Sequence, residues 1–153
     1  MATAWITIAL ADLKDFLVGA QVNAVNTAAL DSGQSARFTN VMTAVVNQMR
    51  VKIESCNQNQ LSATALTIPP SLKEHACMFI VEALQGSIPG LKLDEDQRRR
   101  LTRLHDDMQA VMKCELKVET PTDPLEPASV QGNVLPSITE RTRYFDRDSQ
   151  DGL

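Results

Sequence analysis

Between Phe38 and Cys56, apolar side chains recur at steps of three and four: Phe38, Val41, Met42, Val45, Val46, Met49, Ile53 and Cys56. That spacing gathers them on one face of an α-helix, and a strand, whose faces alternate at every residue, cannot do the same. The stripe predicts a helix from about Ser35, roughly 30 Å long at 1.5 Å per residue. Asn40, Thr43, Asn47, Arg50 and Glu54 fall on its polar side, turned to solvent or to a neighbour. A helix with a single apolar face is stable only when other elements cover that face, so the rest of the chain must supply them.

Four further helical segments are legible. Leu10, Leu13, Phe16 and Leu17 predict a helix that Gly19 ends, and Val22, Val25 and Leu30 a weaker one that stops at Asp31-Ser32-Gly33. Asn57 to Pro70 reads as a loop, because Pro69-Pro70 forbids a helix through it. Pro70 and Ser71 suit the first positions of the next helix, whose face is Leu72, His75, Ala76, Phe79, Ile80, Ala83 and Leu84, with Gly86 as its C′ residue. Asp94 with Gln97 forms a capping-box-like start for the last helix, which turns Leu101, Leu104, Met108, Val111 and Met112 inward. Cys114 to Glu119 suits only a short extended segment. Hydrophobic residues make up 43% of the chain and aromatics only 4%, which favours helices packed through aliphatic side chains over an aromatic-rich sandwich. The expected fold is all-α, a small bundle of about four helices over residues 1–120.

Residues 121–153 differ in kind. They carry Pro121, Pro124, Pro127, Gly132 and Pro136, and their apolar side chains (Leu125, Val130, Val134, Leu135, Ile138, Tyr144, Phe145 and Leu153) follow no period. Ordering such a segment costs roughly 1 kcal/mol or more per residue in backbone entropy, more than its few apolar side chains return on burial. It therefore reads as an extended, Pro-rich C-terminal arm that needs a partner surface. Tyr144 and Phe145 are adjacent aromatics flanked by Arg143 and Arg147, side-chain types that dominate interface hot spots; these four are the expected partner-binding residues of the arm.

The net charge of −4 is distributed as 0 over residues 1–57, −1 over 58–120 and −3 over 121–153. That balance argues against a nucleic-acid binder, which shows a basic footprint. Arg98-Arg99-Arg100 with Arg103 is the one basic cluster. Glu95 to Arg99 and Asp96 to Arg100 are i,i+4 pairs in the favourable order and Arg103 reaches toward Asp107, so the default is a solvated, salt-laced face. Contact with an acidic neighbouring subunit is the next reading, and these four arginines are subunit-interface candidates. Cys56, Cys77 and Cys114 are odd in number and far apart, which predicts free thiols in a reducing cytoplasm and no bridge. The N-terminus lacks a basic segment and an extended apolar run, so no signal peptide or membrane span is expected.

Candidate chemistry is sparse. His75 and Cys77 stand two apart on a helix and diverge by about 200°, so they do not converge on a metal. His75 beside Phe79 reads as a boundary histidine with one satisfied nitrogen, and His105 beside Leu101, Leu104 and Met108 likewise. Asp94-Glu95-Asp96 is explained by its place at a helix N-terminus, and Asp106-Asp107 are neighbours that point apart. There is no glycine-rich phosphate loop, nucleophile elbow or HExxH. No catalytic residue, metal site or cofactor is expected, and the chain does not read as an enzyme.

The order of elements resembles the head-completion, or head-to-tail connector adaptor, proteins of long-tailed bacteriophages, in particular the Mu-type connector family. Trp5, Asp12-Leu13, the long helix ending in Val51-Lys-Ile-Glu54, the Pro-led helix Ile68-Pro-Pro-Ser-Leu72 with Ala76 and Leu84, Arg98 to Arg100 before Leu104, and Arg143-Tyr-Phe-Asp-Arg147 carry the likeness. The chain departs from the pattern in a longer loop before Pro69 and in Cys114-Glu-Leu-Lys117, which stands where a glycine is common after the last helix. The resemblance implies a structural virion protein, made in the bacterial cytoplasm and residing in the neck. It implies a ring, usually a dodecamer, below the portal protein, which extends the DNA channel without binding DNA specifically and docks a tail terminator or tail-side connector protein. A helical regulatory protein-interaction module is the alternative.

Overall fold

The computed structural model describes residues 2–30, 35–86, 88 and 91–126. Helices carry the fold: α1 (Leu10–Leu13), α2 (Gly19–Leu30), α3 (Ser35–Glu54), α4 (Lys73–Gln85) and α5 (Glu95–Met112), with 3₁₀ turns at Lys14–Phe16 and Pro70–Leu72. No named strand occurs among the described residues, so the chain is all-α there, as its periodicity predicts. Three isolated β-bridges remain: Thr3 with Pro121, Ile6 with Ile68, and Ser62 with Pro124.

The core is where the stripe places it. Val45, Val46, Met49 and Ile53 of α3 are buried against Ala76, Cys77, Met78, Ile80, Val81 and Leu84 of α4 and against Leu101, Leu104, Met108 and Val111 of α5. Each fully buried aliphatic side chain contributes about 1.5–3 kcal/mol, which is why three helices of modest propensity hold together. Met112, expected inside, is 41% exposed. One step past Val111 turns it 100° away from the buried face.

Helix starts and stops differ from expectation in three places. The first helix is a single α turn that tightens into the 3₁₀ turn, and the chain becomes extended at Leu17 (φ −113°, ψ 142°). Gly19 begins α2 instead of ending α1, because Gln21 Oε1 accepts the Val18 N–H (3.1 Å) and caps the new helix there. Gly86 keeps a right-handed conformation (φ −71°), so the conformational freedom of a C′ glycine is not used at that position. By contrast, Asp94 caps α5 as the sequence predicts. Its Oδ1 accepts the Gln97 N–H (2.7 Å) while Gln97 Oε1 accepts the Asp94 N–H (3.1 Å).

Cys56 and Cys114 are joined by a disulfide (Cα–Cα 5.3 Å), which corrects the expectation of three free thiols. Cys56 lies two residues past α3 and Cys114 two past α5, and the helices end side by side. Cys114 has φ 62° and forms the C′ position of a Schellman motif. Its N–H donates to Val111 O (3.1 Å), and the Glu115 N–H donates to Ala110 O (2.9 Å). A glycine would take that conformation without strain; here the position is held by a cysteine whose Sγ is bonded across the bundle.

Candidate functional site

The surface with the most definite architecture lies where the C-terminal segment leaves the bundle. Residues 118–125 run beside the N-terminus and the 61–64 loop. The Thr3 N–H donates to Thr120 O (2.8 Å), the Ala63 N–H to Asp123 O (2.7 Å) and the Leu125 N–H to Leu61 O (2.6 Å). Trp5 Nε1 donates to Glu119 O (3.1 Å), and Ile6 and Ile68 exchange both backbone hydrogen bonds at 2.9 Å. The first five residues of the segment read as an arm, 121–125, are therefore fastened to the bundle. Arg143, Tyr144, Phe145 and Arg147 lie outside the described residues.

Two side chains organise this clip. Arg50, which the sequence turns to solvent, reaches the 62–67 loop and donates to Ser62 O (2.7 Å), Thr67 O (2.8 Å) and Thr64 O (3.2 Å). Its guanidinium also lies 5.8 Å from the Trp5 ring centroid, within cation–π range. The loop carries Leu66 at φ 59°, a left-handed conformation costing on the order of 1 kcal/mol for a side-chain-bearing residue, and the three carbonyl anchors hold it there. On the other side, the Asp123 carboxylate accepts from Ser62 Oγ (2.8 Å), Thr64 Oγ1 (2.6 Å) and the Thr64 N–H (3.1 Å). The hydroxyls of Thr64 and Ser62 hold that carboxyl below the usual carboxylate range. No local sequence signal announced Arg50. The only pointer was a Ser/Thr-rich loop with no ladder to satisfy its carbonyls.

The arginine cluster divides among partners. Arg99 pairs with Glu95 at 2.5 Å, the expected i,i+4 contact. Arg100 turns away from Asp96 and pairs with Glu74 of α4, its guanidinium 6.0 Å from the Phe16 ring centroid. Arg98 and Arg103 make no salt bridge among the described residues, and Asp107, the expected partner of Arg103, faces His75 instead. The four arginines are exposed but fan around α5, Arg98 and Arg100 pointing about 200° apart, rather than forming a converging site.

The histidines also separate. His105 stacks on Phe79 (centroids 4.5 Å, interplanar 20°) and its Nε2 lies 3.1 Å from Glu82 Oε2. With Gln48, Lys52 and Ala83 these side chains line a cleft of about 200 Å³ between α3, α4 and α5. His75 departs from the expected boundary histidine with one satisfied nitrogen: both of its ring nitrogens are buried without a hydrogen bond. Nε2 stands 3.5 Å from Asp107 Oδ2, too far for a good hydrogen bond. Burial pushes the His75 imidazole below its ordinary value, with Asp107 opposing. Burial likewise pushes the Cys77 thiol up to about 12, which leaves it protonated and unreactive at neutral pH.

A buried amide pair fixes α2 to the start of α5. Gln21 Nε2 donates to Gln97 Oε1 (2.9 Å) and to Lys92 O (2.6 Å), and Gln97 Nε2 donates back to Gln21 Oε1 (3.1 Å). Among the described residues no group of three or more His, Cys, Asp or Glu side chains is placed to hold a metal ion, and no helix is long and apolar enough to cross a membrane. No family model, no curated protein and no solved structure matches this chain.

Proposed function

We propose that this chain is a structural subunit of a head-to-tail connector ring, seated below a portal and passing DNA through its lumen without specific binding. The observation that carries the reading is the clip: a helical bundle fastens residues 118–125 along one edge and so delivers the segment that follows from one fixed point. A subunit that joins two rings needs that combination of a rigid body and an arm launched in a set direction, because an arm rooted loosely would lose effective concentration at its target. The exposed arginines Arg98, Arg99, Arg100 and Arg103 and the paired aromatics Tyr144 and Phe145 supply side chains suited to a heterologous contact, which closes into a ring when its rotation divides a full turn. The disulfide fits a virion component, since such bonds persist on particles outside the reducing cytoplasm.

The test is the symmetry of the assembled protein. Full-length chain mixed with portal-containing heads and imaged as single particles is expected to add a closed ring at the portal vertex, and arginine-to-glutamate reversal at Arg98 and Arg103 to reduce its occupancy. Isologous dimers, or free monomers that ignore the heads, would overturn the proposal.

A further inference from the structure

Beside the clip lies a groove of about 500 Å³ walled by Glu54, Asn57, Asn59 and Gln60 on one side and Glu126 on the other, with Leu61 and Leu125 as its apolar surface. Leu125 is 50% exposed, yet its backbone is tied to Leu61 by the 2.6 Å hydrogen bond, so the two leucines present a fixed apolar step. Neither Glu54 nor Glu126 makes a salt bridge among the described residues. In the α3–α4–α5 cleft Glu82 faces His105. The concavity beside Val18 is lined by Asp15, Asp94 and Asp96, whereas Glu126 of the present groove is the residue from which the arm departs. The groove combines two carboxylates that make no salt bridge among the described residues with amides and an exposed leucine step. That chemistry suits a short peptide in which aromatic side chains sit between cations.

The chain contains such a peptide. Residues 141–147, Arg-Thr-Arg-Tyr-Phe-Asp-Arg, hold three cations against one anion and the chain's only adjacent aromatics. They are tethered to the groove itself, because Glu126 is part of its wall and only residues 127–140 intervene. A link of that length with random-coil dimensions would span on the order of 20 Å, which would set the local concentration of the peptide near the millimolar range. A second copy of the chain reaches that value only at concentrations far above those of a dilute solution.

We infer that residues 141–147 seat in the groove of their own chain, with Tyr144 and Phe145 on Leu61 and Leu125 and with Arg143 and Arg147 against Glu54 and Glu126. The free subunit then holds its own partner-binding residues, and any partner must compete for them. The inference does not depend on what that partner is.

Replacing Phe145 with the photo-crosslinker benzoylphenylalanine in the full-length chain, irradiating dilute protein and mapping the products by mass spectrometry tests it. Crosslinks to residues 54–61 or 125–126 are expected, and a mixture of isotope-labelled and unlabelled chains should give no mixed products. Glu54→Lys with Glu126→Lys should lower the yield about fivefold, the shift expected from two exposed ion pairs. Arg143→Glu with Arg147→Glu in the same chain should restore it. Circular dichroism verifies that each variant is folded, and both reversed sites lie on the surface. Isotopically mixed products would assign the groove to a second copy, and crosslinks elsewhere or none would remove its role altogether; either result overturns the inference.

Discussion

The three-helix core and the clip hold the same chain together by opposite means. In the core, α3, α4 and α5 bury aliphatic stripes against one another, and few polar groups intrude. In the clip, extended segments that meet only at isolated bridges are joined by backbone hydrogen bonds, one arginine and one aspartate. Loss of one core side chain leaves a void, whereas loss of one clip side chain leaves carbonyls without donors. The difference teaches that the body of this protein is set by area removed from water and its C-terminal exit by a few directed bonds, so the clip should open without the body, whereas loss of the body takes the clip with it.

The sharpest way to break that comparison is in the core. Ile53→Ala should destabilise the fold by about 2–5 kcal/mol, seen as a lower midpoint in urea with the clip and the helices lost together. Reduction of Cys56–Cys114, or Cys56→Ser with Cys114→Ser, should cost about 2–4 kcal/mol, since the bond closes a loop with a sequence separation of 58. A midpoint that does not move on reduction would show that the bond is not formed in solution. Arg50→Ala should cost about 1–3 kcal/mol by leaving loop carbonyls unpaired. Its signature is faster amide exchange at Ala63, Ile68 and Leu125 with protection of α4 and α5 unchanged.

Acid separates the regions by pH. The His75 pKa is depressed in the folded chain, so the unfolded chain binds that proton first as pH falls below about 6.5. Stability from a neutral His75 is therefore complete above that value and declines as pH drops toward the folded one. His75→Gln should flatten this part of the profile. Asp123 is also depressed, but from the carboxylate range, so the clip should persist until pH falls below about 4. The smallest effect is expected at Gly86, where an added Cβ meets nothing within 4 Å and φ is right-handed. Gly86→Ala should stabilise by about 0.4–1 kcal/mol through the unfolded state.

The same division governs what could be read from residues alone. The α3 stripe, the Pro70 start of the fourth helical segment and the Asp94–Gln97 cap rest on neighbours three or four positions apart, and all three appear where their spacing puts them. Arg50 with Thr67, Ser62 with Asp123 and Cys56 with Cys114 join residues far apart in the chain, and no periodicity reports such pairs. Gly19 misled because a glycine marks either end of a helix, and the deciding group, the Gln21 side chain, acts from inside the next one. Of the site, residue types in the arm were legible, while the groove that we assign to them was not, since its walls come from two segments far apart in the chain, 54–61 and 125–126.

Trp5 gives the clip a signal of its own. It is the chain's single tryptophan, buried at the margin of the core beneath Arg50 and bonded to Glu119. Its fluorescence therefore watches the root of the C-terminal segment while far-ultraviolet dichroism watches the bundle. The single tyrosine, Tyr144, lies in the peptide that we seat nearby. On the seating inferred above, energy transfer from Tyr144 to Trp5 would make the unlabelled protein its own distance gauge: the indole should brighten when the segment is home and dim when a competitor draws the segment away.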